Sequence, residues 1–391
     1  MKAEALSGKN VVIWGTGREG MAAAAFIRAR AKDARITFVD EATGGNIAPA
    51  LAQADVIVKS PGVSLYHPLL KGRAVTSLMN LWFAQDHAAK TVCITGTKGK
   101  STTSALLGHV LRKAGARVEV VGNIGVPISE APEDSQVLVI ETSSYQAANF
   151  DGRCDIAAVT SLYPEHLDWH GDWESYARDK LHLLGQAAHK ILHAQAAGAG
   201  VAYPKSSEIV EDFVGAIPNA YLARAHNRGN VAVVLAVVRA LGYDADAALA
   251  AMVDFQGLPH RQQELGTRAN VVYVDDSIAT TPQAAIAAME VYKGRAITLI
   301  AGGHDRGIDY APLVDYVRGH NIGLVTLGPA GARIRAAAGG SAAQDMVDAV
   351  AQARGMTPSG GVILLSPAAP SFGLFKNYAE RGEAFARESG F

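Results

Sequence analysis

One glycine- and lysine-containing loop in this sequence combines residue types that could bind and transfer phosphate. The apolar run 91–95 leads into Gly96-Thr97-Lys98-Gly99-Lys100-Ser101-Thr102, and a segment of helical character follows to residue 114. A strand, a glycine turn and a helix N-terminus in this order are typical of a phosphate-binding loop. Lys100 could reach terminal phosphates, and the Ser101 or Thr102 hydroxyl could bind Mg²⁺. The alternative, a surface turn without a ligand, is disfavoured by the flanking strand and helix.

Other ligand-type residues follow strands that the pattern places in the same sheet. Glu141 ends the strand predicted over 137–140, where a carboxylate could hold Mg²⁺ directly or through water. His166 follows the strand predicted over 156–160 and could be a second metal ligand. A solvated strand end is the alternative for Glu141, and a structural histidine is the alternative for His166. Lys180 lies in an amphipathic helical pattern, which by itself indicates a solvated lysine.

A second glycine loop lies near the beginning of the chain. Gly15-Thr16-Gly17-Arg18-Glu19-Gly20 matches the dinucleotide-binding fingerprint, and Asp40 closes the next predicted strand. The pattern leaves NAD, another nucleotide or an empty strand–helix turn open. Arg18 and Glu19 could hold a diphosphate or a base.

Three strand ends in the last third of the chain carry polar residues. They are 274–282, with Asp275, Asp276 and several hydroxyls, 301–307, which is rich in glycine and carries Arg306, and 365–372. The carboxyl ends of parallel strands meet at one edge of a sheet, so these segments are expected to form one binding face.

The elements that must position these residues alternate between strand and helix, which indicates α/β architecture with parallel sheets. Three segments differ in pattern, and we predict domains over 1–88, 89–259 and 260–391. The pattern is weak over 194–218, which has little periodicity. The helices predicted in the second segment cover 173–187, 230–241 and 245–252.

Composition excludes several classes of protein. A chain of 391 residues with 49% hydrophobic residues can fill large cores, and a formal net charge of −1 argues against a nucleic-acid-binding protein. Two cysteines, both in apolar surroundings, favour a reducing compartment. No run of about 20 apolar residues or signal peptide is found, so a cytoplasmic protein with no membrane partner is expected.

Taken together, these motifs resemble those of the Mur ligase family, and most of all those of its glutamate-adding members. The resemblance covers nearly the whole chain. Beside the loop 96–102 it rests on Gly122-Asn123-Ile124-Gly125, Glu141-Thr142-Ser143-Ser144-Tyr145-Gln146, Glu165-His166-Leu167-Asp168, His226-Asn227, Leu258-Pro259-His260-Arg261, Leu365-Ser366-Pro367-Ala368 and Phe375-Lys376-Asn377-Tyr378-Ala379-Glu380-Arg381-Gly382. It implies a Rossmann-like N-terminal domain, a central P-loop ATPase-like domain and a C-terminal Rossmann-like domain.

The resemblance also implies roles for individual residues. The resemblance implies catalytic roles for Lys100, Lys180, His166 and Glu141. ATP would be bound by Gly96, Thr97, Lys98, Gly99, Lys100, Ser101, Thr102, Asn227, Arg261 and Asp276. The UDP-linked substrate would be bound by Gly15, Gly17, Arg18, Glu19, Asp40, Gly62, Asn123 and His166, which removes NAD. Two Mg²⁺ sites would involve Ser101, Glu141, His166 and Lys180, with Lys180 carbamylated by CO₂. Glutamate would be bound by Thr280, Arg306, Ser371, Phe372 and Tyr378.

The activity implied is the ATP-dependent addition of glutamate to UDP-N-acetylmuramoyl-L-alanine in peptidoglycan synthesis, and hence a part in cell shape and division. ATP would phosphorylate the substrate carboxylate, and the amino group of glutamate would displace phosphate from the acyl phosphate. D-glutamate is expected as the amino acid. L-glutamate is the alternative, because Ile278 stands where the family usually has lysine and Arg306 stands where another lysine is common. The enzyme is expected to be a monomer acting on small molecules.

Two alternatives remain. A folylpolyglutamate synthase-like ligase usually has an extra glycine after the loop lysine and lacks a domain like 1–88, whereas Ser101 follows Lys100 directly here. A non-catalytic nucleotide-binding scaffold is disfavoured by the presence of Lys100, Glu141, His166 and Lys180. The chain is also short for the family, so the central sheet is expected to be trimmed around 194–218.

Overall fold

Strands in the described part of the chain form three sheets. The structure, a computed structural model, describes residues 1–41 and 47–391. By internal contacts it divides into two compact units, Met1–Phe255 and Gln256–Phe391. The first unit contains two of the sheets, and the second unit contains the third.

The first sheet has the strand order β2-β1-β3-β4, and its strands are parallel. Its elements are β1 (Asn10–Trp14), α1 (Arg18–Arg30), β2 (Arg35–Val39), α2 (Ala48–Ala52), β3 (Val56–Lys59), β4 (Val75–Thr76) and α3 (Leu78–Phe83). The loop from Gly15 joins the central strand β1 to α1, and the end of β3 lies beside it. The carboxyl ends of β1 and β3 therefore border one crevice.

The second sheet is fully parallel in the order β10-β9-β8-β5-β7-β6. Its elements are β5 (Lys90–Thr95), α4 (Lys100–Lys113), β6 (Val118–Gly122), β7 (Val137–Glu141), α5 (Ser144–Ala147), β8 (Cys154–Val159), α6 (Leu167–His170), α7 (Trp173–Gly185), β9 (Ala187–His193), α8 (Ala194–Ala197), β10 (Glu208–Val210), α9 (Ala225–Ala240) and α10 (Ala245–Ala250). The three central strands, β8, β5 and β7, are buried on both faces, as their continuous apolar runs require.

The third sheet, in the second unit, has the order β11-β12-β16-β13-β14-β15, with only its edge pair β11–β12 antiparallel. Its elements are β11 (Gln263–Arg268), β12 (Val271–Asp275), α11 (Pro282–Glu290), β13 (Ile297–Gly302), α12 (Ala311–Gly319), β14 (Gly323–Leu327), α13 (Gly328–Ala338), β15 (Ser341–Ala342), α14 (Met346–Met356), β16 (Val362–Leu365) and α15 (Tyr378–Ser389). Helices pack on both of its faces.

The predicted α/β class is confirmed, and most of the predicted elements form within a few residues. The helix predicted over 173–187 ends at Gly185, and β9 begins at Ala187. Its alanines favour helix locally, but pairing with β8 imposes the strand. The stretch 194–218, which has no clear pattern, contains α8 and β10. Among the described residues, no helix is long and apolar enough to cross a membrane.

Candidate functional site

The loop 96–102 joins β5 to α4, and both of its glycines are required where they stand. Gly96 and Gly99 have φ angles of 148° and 86°, which L side chains rarely adopt. A Cβ on Gly96 would collide with the Thr160 hydroxyl, and one on Gly99 would collide with the Asn230 amide. The loop therefore turns tightly onto the N-terminus of a 14-residue helix, where free N–H groups and the helix dipole favour anions.

The lysines of this loop already have protein partners. The Lys100 ammonium donates to the carbonyl oxygens of Gly96 and Thr97 at 2.8 and 3.0 Å, and it lies within the turn that would hold phosphate. Lys98 forms an ion pair with Glu165 at 2.7 Å on the surface. Ser101 and Thr102 are buried in the first turn of α4. Phosphate oxygens entering the loop would replace the carbonyls as acceptors of Lys100.

Glu141 is buried at the end of β7 with only half of its carboxylate in use. Its side chain is 1% exposed, and Oε1 accepts a hydrogen bond of 2.6 Å from the Asn123 amide. Oε2 is buried without a partner. An unpaired buried carboxylate oxygen is costly, and a cation would remove that cost. The residues therefore fit a Mg²⁺ site, since Mg²⁺ at phosphate sites uses one or two carboxylates and takes its other ligands from phosphates and water.

Lys180 lies in the interior, although its helical pattern predicts a solvated lysine, so that prediction is wrong. The side chain on α7 is 1% exposed, and its ammonium donates to the Gly96 carbonyl at 3.0 Å. Its pKa is lowered well below the ordinary value, first by burial and then by the positive charge of Lys100. A neutral amine in this place can react with CO₂, and the resulting carbamate would supply an anion beside the loop.

His166 has an unusual backbone conformation at the start of α6, with φ of 56°. Its side chain is 44% exposed and packs near the Tyr145 ring, with 5.0 Å between the ring centroids. The pKa of His166 is lowered, mainly by burial and partly by Lys180 and Lys100, while Glu165 opposes this shift. The neutral imidazole is therefore favoured, and this is the form that can bind a metal. Among the described residues no three His, Cys, Asp or Glu side chains cluster closely enough to hold a metal ion by themselves.

Asn227, a predicted ATP contact outside the loop 96–102, lies near that loop in the first unit. Its amide is buried on α9, where it donates to the Tyr221 carbonyl at 2.9 Å and accepts from Asn230 at 3.0 Å. Asn230 in turn accepts from Thr103 on α4 at 3.2 Å. Asn227 therefore belongs to a buried amide chain that ends against Gly99.

The first-sheet residues predicted to bind the UDP-linked substrate have other partners in this structure. Asp40 accepts from both the backbone N–H and the hydroxyl of Thr16, at 3.0 and 2.7 Å, and so fixes the Gly15–Gly20 loop. Arg18 donates to the Gly125 carbonyl at 2.5 Å. The Glu19 carboxylate accepts from Gln146 at 2.8 Å, and burial raises its pKa. Arg18 and Glu19 thus connect the loop to the second sheet, although we expected both to face a ligand.

Gly62 lies where the chain leaves β3 toward the second sheet. Its carbonyl accepts a hydrogen bond of 3.2 Å from the Trp169 indole. Two residues on, the Ser64 hydroxyl donates to the Trp169 carbonyl at 2.9 Å. Further along, the Tyr66 hydroxyl lies 2.8 Å from both oxygens of Asp179, which adjoins Lys180. This loop therefore joins the end of β3 to α6, which begins directly after His166, and to α7, which carries Lys180.

The remaining predicted ATP contacts belong to the second unit. Asp276 is buried after β12, where it accepts from the Ser366 hydroxyl at 2.7 Å and from the Gln262 N–H at 3.1 Å. Burial raises the pKa of Asp276 to about 7. The Nε atom of Arg261 is buried and has no partner, so it is a donor available to a ligand.

The predicted glutamate residues follow three strands of the third sheet. The Arg306 guanidinium donates to the Thr280 carbonyl at 2.9 Å, which brings the loops after β12 and β13 together. Ser371 is buried after β16, whereas Phe372 and Tyr378 are 60% and 43% exposed. The three strand ends therefore share one sheet edge, as expected.

Sequence reasoning missed two buried cations near these sites. Arg381 on α15 is buried and donates to the carbonyls of Ser277, Ala369 and Gly302. Lys59 is buried at the end of β3. Arg381 lies within the motif 375–382, but a charged residue in a polar helix gives no local signal of burial. Lys59 gave a weak signal, since it is a lone charge that ends an apolar strand.

Comparison with known proteins identifies relatives of the whole chain. A model of the Mur ligase middle domain matches residues 94–198. A UDP-N-acetylmuramoyl-L-alanine–L-glutamate ligase of Micromonospora sp. is 40% identical over 445 aligned positions, covering 99% of this chain and 97% of the relative. Because the alignment is longer than the 391 residues of this chain, the relative contains residues that this chain lacks.

Solved structures share the fold. UDP-N-acetylmuramate–alanine ligase of Thermotoga maritima matches with a TM-score of 0.59 at 17% identity, over 97% of this chain and 99% of that chain. MurF ligase of Thermotoga maritima in complex with ADP matches with a TM-score of 0.57 at 14% identity, over 99% of this chain and 96% of that chain. The predicted Mur ligase architecture is thus confirmed. Because the Micromonospora relative is 40% identical over nearly the full length of both proteins, this chain belongs to the Mur ligase family and is an ATP-dependent ligase.

Proposed function

We propose that this enzyme joins glutamate to UDP-N-acetylmuramoyl-L-alanine, with conversion of ATP to ADP and phosphate, in the cytoplasm during peptidoglycan synthesis. One observation carries most of the proposal. A phosphate loop, a buried carboxylate with an unpaired oxygen (Glu141) and a buried lysine of lowered pKa (Lys180) surround the C-terminal edge of a single parallel sheet.

The chemistry follows from these groups. A carboxylate is a poor electrophile, so it must be activated, and transfer of a phosphoryl group from ATP does this. Phosphoryl transfer depends on positioning and on neutralisation of charge. Lys100 and the N-terminus of α4 supply positive charge at the loop. Ser101, Glu141 and His166, with carbamylated Lys180, would hold two Mg²⁺ ions, which when bound neutralise phosphate charge.

The second unit is proposed to supply the amino acid. Arg306 presents a planar donor fork suited to a substrate carboxylate. Thr280, Ser371, Phe372 and Tyr378 lie at the same sheet edge, and Arg261 and Asp276 are proposed to contact ATP. The functional division into 1–88 for the UDP moiety, 89–259 for ATP and 260–391 for glutamate is part of this proposal, as is a monomeric state.

L-glutamate is the better candidate for the amino acid. The Micromonospora relative is named for L-glutamate, and this chain has Ile278 and Arg306 where the sequence pattern of D-glutamate enzymes usually has lysines. This preference reverses the order expected from the motifs alone, where D-glutamate came first.

The test is ATP-dependent phosphate release with UDP-N-acetylmuramoyl-L-alanine and either L- or D-glutamate, in Mg²⁺ and bicarbonate. We expect release with L-glutamate and formation of the dipeptide product by mass spectrometry. The Lys100→Met variant should be inactive, and omission of either substrate should abolish release. Activity with D-glutamate alone would overturn the choice of enantiomer, and activity with neither would overturn the proposed reaction.

A further inference from the structure

Lys59 is a buried cation without a hydrogen bond. It ends β3, and its side chain is 3% exposed. Within residues 1–41 and 47–391, no hydrogen bond and no ion pair within 4.0 Å involves its ammonium group. Its ammonium group makes a cation–π contact with the Trp169 ring, whose centroid lies 5.5 Å from Nζ. Burial of an unpaired charge is costly, so such a group requires an explanation.

Glu19 is the nearest candidate for a counter-ion, but it does not neutralise Lys59. Its Oε1 atom is occupied by the Gln146 amide at 2.8 Å. Burial lowers the pKa of Lys59 to about 8 and raises the pKa of Glu19, and in both groups burial outweighs the attraction between them. A close ion pair would shift both pKa values in the opposite directions. The ammonium is therefore short of an anionic partner.

Other polar atoms beside Lys59 are also unpaired. The Asn149 amide nitrogen and oxygen and the Ser60 hydroxyl are buried without partners. Lys59, Asn149, Tyr145 and Pro61 line a cavity of about 10 Å³, which has room for about one water molecule. This space is too small for a nucleotide, so a larger ligand could present only an oxygen atom to it from outside.

The position of Lys59 indicates which ligand that is. Its neighbour Ser60 packs against Gly15, where any Cβ would collide with the serine side chain. Gly15 opens the loop that ends at the N-terminus of α1, a 13-residue helix. Lys59 thus lies at the carboxyl end of β3, beside a helix N-terminus that favours anions. The carboxylate end of the substrate has another cation available at the second sheet, Lys100.

We propose that Lys59 binds an anionic oxygen of the diphosphate of the nucleotide-linked substrate, with the Asn149 amide as a second polar contact. This assignment rests on the proposed function, because it takes a UDP-linked molecule as the substrate. The bound diphosphate supplies the counter-charge that Glu19 does not, and Trp169 shields the ammonium from water on another side.

The test is binding of UDP and of uridine, measured by calorimetry on the full chain. The Lys59→Met variant removes the charge and keeps the length of the side chain. The double variant, Lys59→Met with Glu19→Gln, removes both buried charges and serves if the single variant folds poorly. Lys71→Met, an exposed lysine of the same domain, is the matched control. We expect Lys59→Met and the double variant to bind UDP about 10- to 100-fold more weakly, and to bind uridine as the wild type does. Lys71→Met should bind both normally.

The outcomes separate this proposal from the proposed function. Wild-type protein that fails to bind UDP would overturn both. Wild-type binding with unchanged UDP affinity in Lys59→Met would overturn the role of Lys59 alone. If Lys59→Met bound UDP normally but bound UDP-N-acetylmuramoyl-L-alanine more weakly, the proposed role of Lys59 would also be overturned. The partner of Lys59 would then be the substrate carboxylate.

Discussion

Lys100 and Lys180 donate hydrogen bonds to the same acceptor, the carbonyl oxygen of Gly96, at 2.8 and 3.0 Å. Two ammonium groups that share one carbonyl repel each other, and both are kept there by the tight turn of the loop. Lys180 is the more deeply buried of the two, and its pKa is lowered well below the ordinary value, first by burial and then by the charge of Lys100. The loop lysine that would bind phosphate thereby favours the neutral amine on the lysine that would react with CO₂.

We predict that Lys180 carries a carbamate in the active enzyme. Incubation with ¹³C-bicarbonate should give a carbamate signal in the ¹³C NMR spectrum of the wild type, because the neutral amine is the nucleophile. Lys180→Met should lose this signal, and its ligase activity should fall by about 100-fold or more, since the anion proposed for the metal site is lost. Lys205→Met, an exposed lysine, should keep both. A carbamate signal that survives in Lys180→Met would assign the modification to another residue.

Glu141→Gln is predicted to separate metal binding from stability. The glutamine keeps the bond to Asn123 but removes the charge on the unpaired oxygen, so the Mg²⁺ concentration for half-maximal activity should rise about 10-fold or more. Without Mg²⁺, the melting temperature should stay the same or rise, because a buried charge is gone. Glu130→Gln, on the surface, is the control. An unchanged Mg²⁺ requirement would remove Glu141 from the metal site.

Local patterns in the sequence were sufficient for the sheets and for the phosphate loop. Gly96 and Gly99 could be read as a turn because their positive φ angles are a property of glycine itself. The position of Glu141 at a strand end followed from the same reasoning. In these cases neighbouring residues along the chain determine the structure.

Burial of single charges could not be predicted in the same way. Lys180 lies on an amphipathic helix next to Asp179, and only the fold shows that both are inside. Lys59 and Arg381 are enclosed by elements distant in sequence, such as Trp169 for Lys59 and Ser277 for Arg381. Likewise, Gly382 on α15 is required because a Cβ would collide with His260 and Asp275, a contact over more than 100 positions.

Asp276 is predicted to make the second unit less stable as pH rises. The pKa of its carboxyl in the folded protein is about 7, raised by burial above the ordinary value of 3.8. The folded state therefore holds a proton that the unfolded state releases, so this contribution is full below pH 3.8 and is lost as pH rises through about 7. Between pH 5 and 8 the loss should be on the order of 2–4 kcal/mol.

Urea unfolding of the full chain at a series of pH values checks this prediction. In the urea transition whose midpoint Asp276→Asn changes, this substitution should remove most of the decrease in the free energy of unfolding between about pH 5 and 8. The raised pKa of His260, caused first by its bond to Asp275, changes stability in the same direction but is present in both proteins, so the difference between them isolates Asp276. Parallel pH profiles for the two proteins would show that Asp276 is charged in the folded state.

Arg381 is predicted to hold in place the loops that we propose to bind glutamate. Its guanidinium donates to the carbonyls of Ser277 at 2.8 Å, Ala369 at 3.1 Å and Gly302 at 3.3 Å, which follow or end β12, β16 and β13. Burial lowers its pKa to about 10, so it remains charged at neutral pH. A lysine has no planar fork and cannot reach three carbonyls at once.

Arg381→Lys should therefore raise the KM for glutamate about 10-fold, while the KM for UDP-N-acetylmuramoyl-L-alanine stays near the wild-type value. The free energy of unfolding should fall by about 2–4 kcal/mol, because buried carbonyls lose their donors. Arg387→Lys, on the exposed part of the same helix, should change neither. If the loops are misplaced, glutamate binding should weaken. A variant that is destabilised but has an unchanged KM for glutamate would therefore mean that Arg381 stabilises the fold without positioning the loops.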